Sequence, residues 1–206
     1  MTRFPRLRFG LLAALLLAVP GCRREARPFN PEGLAGPKID PPIPKPAFVL
    51  TTTDGREFDF RRDTEGYVTL LFVGYTHCPD VCPVHLANIA ASLRKLGPQL
   101  RNRIRVVFVT ADPDRDTAPV IRKWLDQFDP SFIGLRGDVA VVHRLLTDMR
   151  LGTPVKEPGA TDTTYTIGHS SVVVAFTPDN LAHVIYPFGI RQADWAHDLL
   201  RLTGAG

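Results

Sequence analysis

Apolar positions along this chain alternate between unbroken runs and helical spacing, and the order of these patterns predicts the elements. Val68-Thr69-Leu70-Leu71-Phe72-Val73 is a nearly continuous apolar run of the kind that fills a central strand buried on both faces, extending to residue 75. Arg105-Val106-Val107-Phe108-Val109-Thr110 predicts a second such strand. Between them, Leu86, Ile89, Ala90, Leu93 and Leu96 recur at helical spacing and stop at Gly97-Pro98. Upstream, Phe48 to Thr52 and Glu57 to Phe60 flank Asp54-Gly55, a strong hairpin signal. Downstream come a helix over about 118–128, a strand near Phe132 to Leu135 and a helix over about Val139 to Met149. A second hairpin, Ser171 to Phe176 and Leu181 to Tyr186 around Pro178-Asp179-Asn180, precedes a helix near Gln192 to Leu202. The order is β-hairpin, βαβαβα, ββα. It predicts an α/β fold: a mixed central sheet, parallel at its middle, flanked by helices and carrying an N-terminal β-hairpin.

The ends of the chain follow other rules. Arg3, Arg6 and Arg8 precede the apolar run Phe9 to Val19, and Val19-Pro20-Gly21-Cys22 closes it. That run is shorter than the ~20 residues a membrane-spanning helix needs, so residues 1–22 read as an export signal. The small residue before Cys22 resembles a bacterial lipobox, in which that cysteine becomes a lipid-modified N-terminus. Residues 23–46 hold seven prolines and little that could pack, which predicts a tether reaching up to ~75 Å at ~3.1 Å per residue. The expected location is therefore outside the bacterial cytoplasm, anchored to the outer face of the cytoplasmic membrane, where disulfides persist. Residues 47–206 are left as one domain.

Charge changes the picture only by exclusion. The formal +4 and the pI of 9.2 come largely from the signal: without residues 1–22 the chain has 22 basic against 21 acidic residues. No basic stripe interleaved with aromatics marks a nucleic-acid partner.

The candidate chemistry sits where the first central strand ends, at Gly74-Tyr75-Thr76-His77-Cys78-Pro79-Asp80-Val81-Cys82-Pro83. Two cysteines four residues apart on a helix-like course lie roughly 6 Å apart at Cα, so either a disulfide or a shared metal is open to them. Pro79 and Pro83 place the strand-to-helix turn here, with the helix beginning near Asp80 as N-cap. The positive end of that helix is expected to lower the pKa of both thiols. Ligands of open sheets gather beyond the carboxyl ends of parallel strands, which is where Cys78 and Cys82 fall. A strand, cysteine pair and helix at the start with ββα at the end make the expected fold thioredoxin-like.

Three segments together resemble the Sco/SenC family: residues 74–83, Asp112-Pro113-Asp114-Arg115-Asp116-Thr117, and His169-Ser170 before an apolar strand. The resemblance runs over about residues 47–203. It implies a thioredoxin-like, membrane-tethered copper protein in which Cys78, Cys82 and His169 bind one copper, as Cu(I) or Cu(II). It further implies a metallochaperone that receives copper from an upstream donor and serves the CuA-bearing subunit of cytochrome c oxidase. The family usually has an acidic residue just before this histidine, where this chain has Gly168.

Rival readings rest on the same residues. Cys78 and Cys82 could be the redox-active pair of a thiol–disulfide oxidoreductase that reduces the cysteines of the acceptor copper site. Against this, three residues separate the cysteines instead of thioredoxin's two, and 165–171 contains no proline to face a disulfide. A peroxiredoxin would place Thr or Ser three residues before its reactive cysteine, where this chain has Tyr75 and Pro79. His77 and His85 are alternative imidazoles, and Cys78, Cys82 and His85 could supply three of the four ligands of structural zinc. Asp112, Asp114 and Asp116 could hold a hard cation; the cheaper expectation is that Asp116 or Thr117 caps the next helix and the others bind the loop locally.

Overall fold

The structure is a computed structural model and describes residues 29–159 and 164–204; the expected signal and the first part of the expected tether lie outside these residues. Its elements, in chain order, are β1 (Lys38–Pro44), β2 (Val49–Thr52), β3 (Glu57–Asp59), α1 (Phe60–Asp63), β4 (Val68–Gly74), α2 (Val81–Lys95), α3 (Gly97–Arg101) and β5 (Ile104–Thr110). There follow α4 (Ala118–Leu125), β6 (Ile133–Arg136), α5 (Val139–Asp148), β7 (Val155–Pro158), β8 (Tyr165–Gly168), β9 (Val173–Phe176), β10 (Leu181–Tyr186) and α6 (Gln192–Leu202).

Eight strands form one sheet in the order β1-β10-β9-β4-β5-β6-β2-β3. β4, β5 and β6 are parallel, in register from Val68↔Ile104 to Gly74↔Thr110. β9 pairs antiparallel with β4, β10 with β9, and the β2–β3 hairpin with β6. This is the mixed, thioredoxin-like arrangement expected from the element order.

The alternation of β4 explains why the sheet needs helices on both sides. Val68, Leu70 and Phe72 point to one face and pack with Leu86, Ile89 and Leu93 of α2, Ile121 and Leu125 of α4, and Trp195 and Leu199 of α6. Leu71 and Val73 point to the other, against Val142, Leu145 and Leu146 of α5 and Phe60 of α1. Phe72, Phe108 and Val107 are fully buried. At about 1.5–3 kcal/mol for each such side chain, this double burial is what fixes the strand and the turn that leaves it.

Four expectations change. Residues 29–46, read as tether, are part of the domain: β1 pairs with β10, and the backbone N–H groups of Ala35 and Gly36 donate to the buried Asp198 carboxylate. Prolines in β1 are tolerated because it is an edge strand, where missing donors need no partner. The helix expected to stop at Gly97 does end there, but a short α3 starts at once, turned by Gly97 at φ 73°. The helix expected over 118–128 ends at Leu125. The β7–β8 ribbon has no counterpart in the sequence reading, because Val155–Pro158 is exposed throughout and carries no period-2 apolar signal. Among the described residues no helix is long and apolar enough to cross a membrane.

Candidate metal centre

β4 ends at Gly74, and the chain turns through 75–80 with Cys78 N donating to Tyr75 O at 3.2 Å. α2 then starts at Val81 and carries fully buried Cys82 in its first turn. Pro83 fits there because a first-turn N–H has no helical acceptor. Gly74 makes this approach possible: a Cβ at that position would stand 2.8 Å from Cys82 Sγ. His169 arrives directly after β8, which pairs with β7 in a separate two-stranded sheet.

The three side chains converge. The donor atoms of Cys78, Cys82 and His169 all lie within 4.8 Å of one another. Cys82 Sγ is 3.6 Å from His169 Nε2, and Cys82 N donates to Cys78 Sγ at 3.4 Å. His169 Nδ1 lies 3.0 Å from Ser170 O, so its proton belongs on Nδ1 and the Nε2 lone pair is turned toward the sulfurs. Edge contacts with Tyr75 (5.7 Å) and Phe72 (6.3 Å) hold the ring. Cys78 and Cys82 are free, not bridged.

The expected lowering of both thiols occurs at one sulfur only, and through hydrogen bonding. Cys78 is pulled down to about 3, first by a hydrogen bond from the Cys82 thiol. Cys82 is pushed far above the usual thiol range, because it is the donor in that bond and because it is buried. The pair thus behaves as one thiolate and one thiol sharing a proton. A soft anionic sulfur, a second sulfur and a neutral imidazole suit a soft metal ion.

The aspartate segment does something other than was expected of it. Thr117 is the N-cap of α4 but makes no side-chain cap bond, and Asp116 does not cap. Asp116 is fully buried and accepts from Thr76 N (2.9 Å), Thr76 Oγ1 (2.5 Å) and Thr110 Oγ1 (2.6 Å). It latches the cysteine turn to the end of β5. Asp112 accepts from Arg115 Nε (2.5 Å) and from Tyr165 Oη (2.8 Å), while Arg115 Nη1 donates to Tyr165 O (3.0 Å) and its guanidinium lies 3.5 Å from the Tyr165 ring centre. Tyr165 opens the strand that ends at Gly168, so the same loop clamps the histidine-bearing ribbon. The segment binds the two halves of the candidate ligand set to one scaffold.

The comparisons agree with this geometry. The family model for SCO1/SenC matches residues 38–204. The chain belongs to the SCO1/SenC family. A protein from Stutzerimonas stutzeri described as copper-binding is 32% identical over 131 residues, 63% of each chain, so the match spans less than two thirds of that relative. The structure of ScoI from Bradyrhizobium japonicum with copper bound is 32% identical, with a TM-score of 0.69 over 78% of this chain and 99% of that one. Apo Sco1 from Thermus thermophilus gives 27% identity and a TM-score of 0.72, covering 82% of this chain and 96% of that one.

Among the described residues, Cys78, Cys82 and His169 form the only group of three potential ligands with this proximity. The zinc alternative with His85 is not assembled: His85 is buried and its Nε2 donates to Ser171 O at 3.0 Å. Burial depresses its pKa, so it is a neutral strut between α2 and the segment after His169. His77 is half-exposed and turned to Thr76 and Asp116. At Gly168, where this SCO1/SenC chain lacks an acidic residue, a Cβ would meet Glu157 Oε1 at 2.7 Å: the neighbouring strand already places a carboxylate beside that position. Gly74, Thr76 and Tyr165 were not assigned roles from the sequence, and His85 was weighed only as a rival ligand, since their function depends on contacts 40 or more residues away for all but Gly74.

Proposed function

We propose that Cys78, Cys82 and His169 hold one copper ion and that this protein is a metallochaperone whose cargo passes to the CuA-bearing subunit of cytochrome c oxidase. The observation that carries the reading is the meeting of two sulfurs and one Nε2 within 4.8 Å, from elements 87 residues apart in sequence. Thiolates select Cu(I), and imidazole accepts either oxidation state. Loading displaces the proton held by Cys82, so uptake of Cu(I) releases about one proton per ion at neutral pH. Three ligands leave room for a ligand of the acceptor to bond before an original one departs. Cys78 borders an open cleft of about 260 Å³ whose walls include Tyr75, Pro79, Val81 and Ile167, which gives an acceptor a route to it. The export signal, Cys22 anchor and outer membrane face belong to the same proposal: an extracytoplasmic acceptor requires a donor on that side.

Competition for Cu(I) against a chromogenic chelator tests the site. The wild type should withhold copper that Cys78→Ser/Cys82→Ser surrenders, with His169→Ala between them. Equal surrender by wild type and the double variant would remove the proposal.

A second reading has one observation in its favour, the split between the Cys78 thiolate and the buried Cys82 thiol. Cys78 Sγ would attack a disulfide and expel one thiolate; Cys82 Sγ would then displace the second. The substrate gains two electrons and the one proton held by Cys82 as the pair becomes a disulfide, and solvent supplies the second proton to the remaining product thiolate. Stoichiometric reduction of an acceptor disulfide by the metal-free protein, unchanged in His169→Ala, would support it.

A further inference from the structure

A cleft lined by arginines lies at the opposite end of the sheet from the cysteines, where α2, α3 and the start of β5 meet. Residues 94–105 contain Arg94, Lys95, Arg101, Arg103 and Arg105 and no acidic residue, although the chain beyond residue 22 is close to neutral. The positive-φ turn at Gly97 folds this segment back on itself. The result is a cleft of about 370 Å³ in which Arg94, Arg101, Arg105, Asn102 and Ser131 stand over an apolar floor of Leu93 and Ile104.

Two of the guanidiniums are already held in place. Arg101 Nη2 donates to both oxygens of Asp129, at 2.8 and 2.7 Å, leaving its Nε and Nη1 protons free of that carboxylate. Asp129 is buried and also accepts from Ser131 N and Oγ, so it serves as a mount for Arg101. Arg105 lies 3.7 Å from the Tyr67 ring centre, and its Nη1 reaches the carbonyls of Asn102 and Ile104 at 3.4 Å. Arg94 is exposed and has no ion-pair partner among the described residues. After Asp129 offsets Arg101, no carboxylate lines this cleft against the charges of Arg94 and Arg105, while Arg105 also borders a neighbouring cleft that holds Glu57 and Asp63. Restrained guanidinium forks lose little rotamer freedom on binding and match the oxygens of phosphate, whereas gathering like charges without an anion is unfavourable.

We propose that this cleft binds a phosphate-class oxyanion, independently of the metal centre. The chemistry is shared by the phosphate of an anionic lipid headgroup and by a free phosphorylated solute. The test uses the protein purified with its N-terminal segment in place, observing the arginine side-chain N–H resonances by NMR. In zwitterionic detergent, inorganic phosphate should shift Arg94, Arg101 and Arg105 saturably, and Arg94→Gln/Arg105→Gln should bind about tenfold more weakly or worse. Arg94→Gln alone, at an exposed position, should weaken binding without loss of folding. In nanodiscs, the same shifts with phosphatidylglycerol but not with phosphatidylcholine alone would assign the anion to the membrane; saturation by phosphate without a response to phosphatidylglycerol would assign it to a free solute. Shifts that never saturate, or that chloride reproduces at equal ionic strength, together with no response to phosphatidylglycerol, would overturn the proposal.

Discussion

Asp116→Ala isolates the latch that holds the cysteine turn. The carboxylate is fully buried and accepts three hydrogen bonds, two from Thr76 and one from Thr110. Bonds to a charged acceptor contribute about 1.5–3 kcal/mol each, but three bonds on one group do not add in full. With Thr76 N–H left unpaired in the variant, the expected loss is about 3–5 kcal/mol, or roughly 10 °C in Tm for a domain of this size. Because Thr76 is two residues before Cys78, the loosened turn should also weaken Cu(I) binding about ten- to a hundredfold. Asp116→Asn is the control: its amide oxygen can still accept from Thr76 N and Thr110 Oγ1, and the Thr76 hydroxyl can reverse to accept from the amide. That variant should lose only about 1–2 kcal/mol. Urea unfolding of the metal-free protein gives the first quantity, and chelator competition gives the second. Asp116→Ala with wild-type stability and affinity would refute the latch. Stabilisation of the wild type by Ca²⁺ or Mg²⁺, lost in Asp116→Asn, would restore the cation reading of this segment.

Substitutions at three other positions probe separate contacts. Lys45 is buried, donates to Thr64 O and Oγ1, and is held down to about 8 from 10.5, chiefly by burial. Below pH 8 both folded and unfolded chains carry its proton and the burial cost of about 3 kcal/mol is present; between pH 8 and 10.5 only the unfolded chain carries it, so this cost is relieved as pH rises. Relative to Lys45→Met, the wild type should therefore gain stability across that window in urea titrations, and a constant difference would contradict the assignment. His85→Leu removes the donor to Ser171 O and should lower Cu(I) affinity about tenfold, while His85→Gln, whose amide reaches the same carbonyl, should retain most of it. Equal losses in chelator competition would show that ring packing, not the hydrogen bond, matters. Gly74→Ala puts a methyl 2.8 Å from Cys82 Sγ and 3.2 Å from Phe72 and Phe108, and should cost about 1–3 kcal/mol while weakening the site; an unaltered unfolding midpoint would mean the turn relaxes freely.

How much of this was legible in the sequence follows from the range of each interaction. β4, β5, α2 and the terminal hairpin announce themselves because local apolar period and burial coincide, as in Leu70, Phe72 and Leu86. β1 was hidden because its prolines read as tether, and an edge strand tolerates them. β7 was hidden because an exposed strand needs no apolar alternation, and β8 because its four residues bury a single apolar side chain, Ile167. Cys78 and Cys82 stood out by spacing alone, whereas His169 entered only through family resemblance; no local pattern distinguishes it from His183, which pairs with Asp179. The misreading of Asp116 has the same origin. An aspartate just before a helix is more often a cap, and its actual partner Thr76 is 40 residues upstream.

The central claim is that two sulfurs and one imidazole take hold of a single copper ion, and X-ray absorption of the Cu(I)-loaded protein tests it most directly. The account predicts one copper per chain with two sulfur scatterers and one imidazole nitrogen, the imidazole signature vanishing in His169→Ala and persisting in His85→Gln and His77→Ala. A spectrum that needs no imidazole, or one that His169→Ala leaves unchanged, would contradict it.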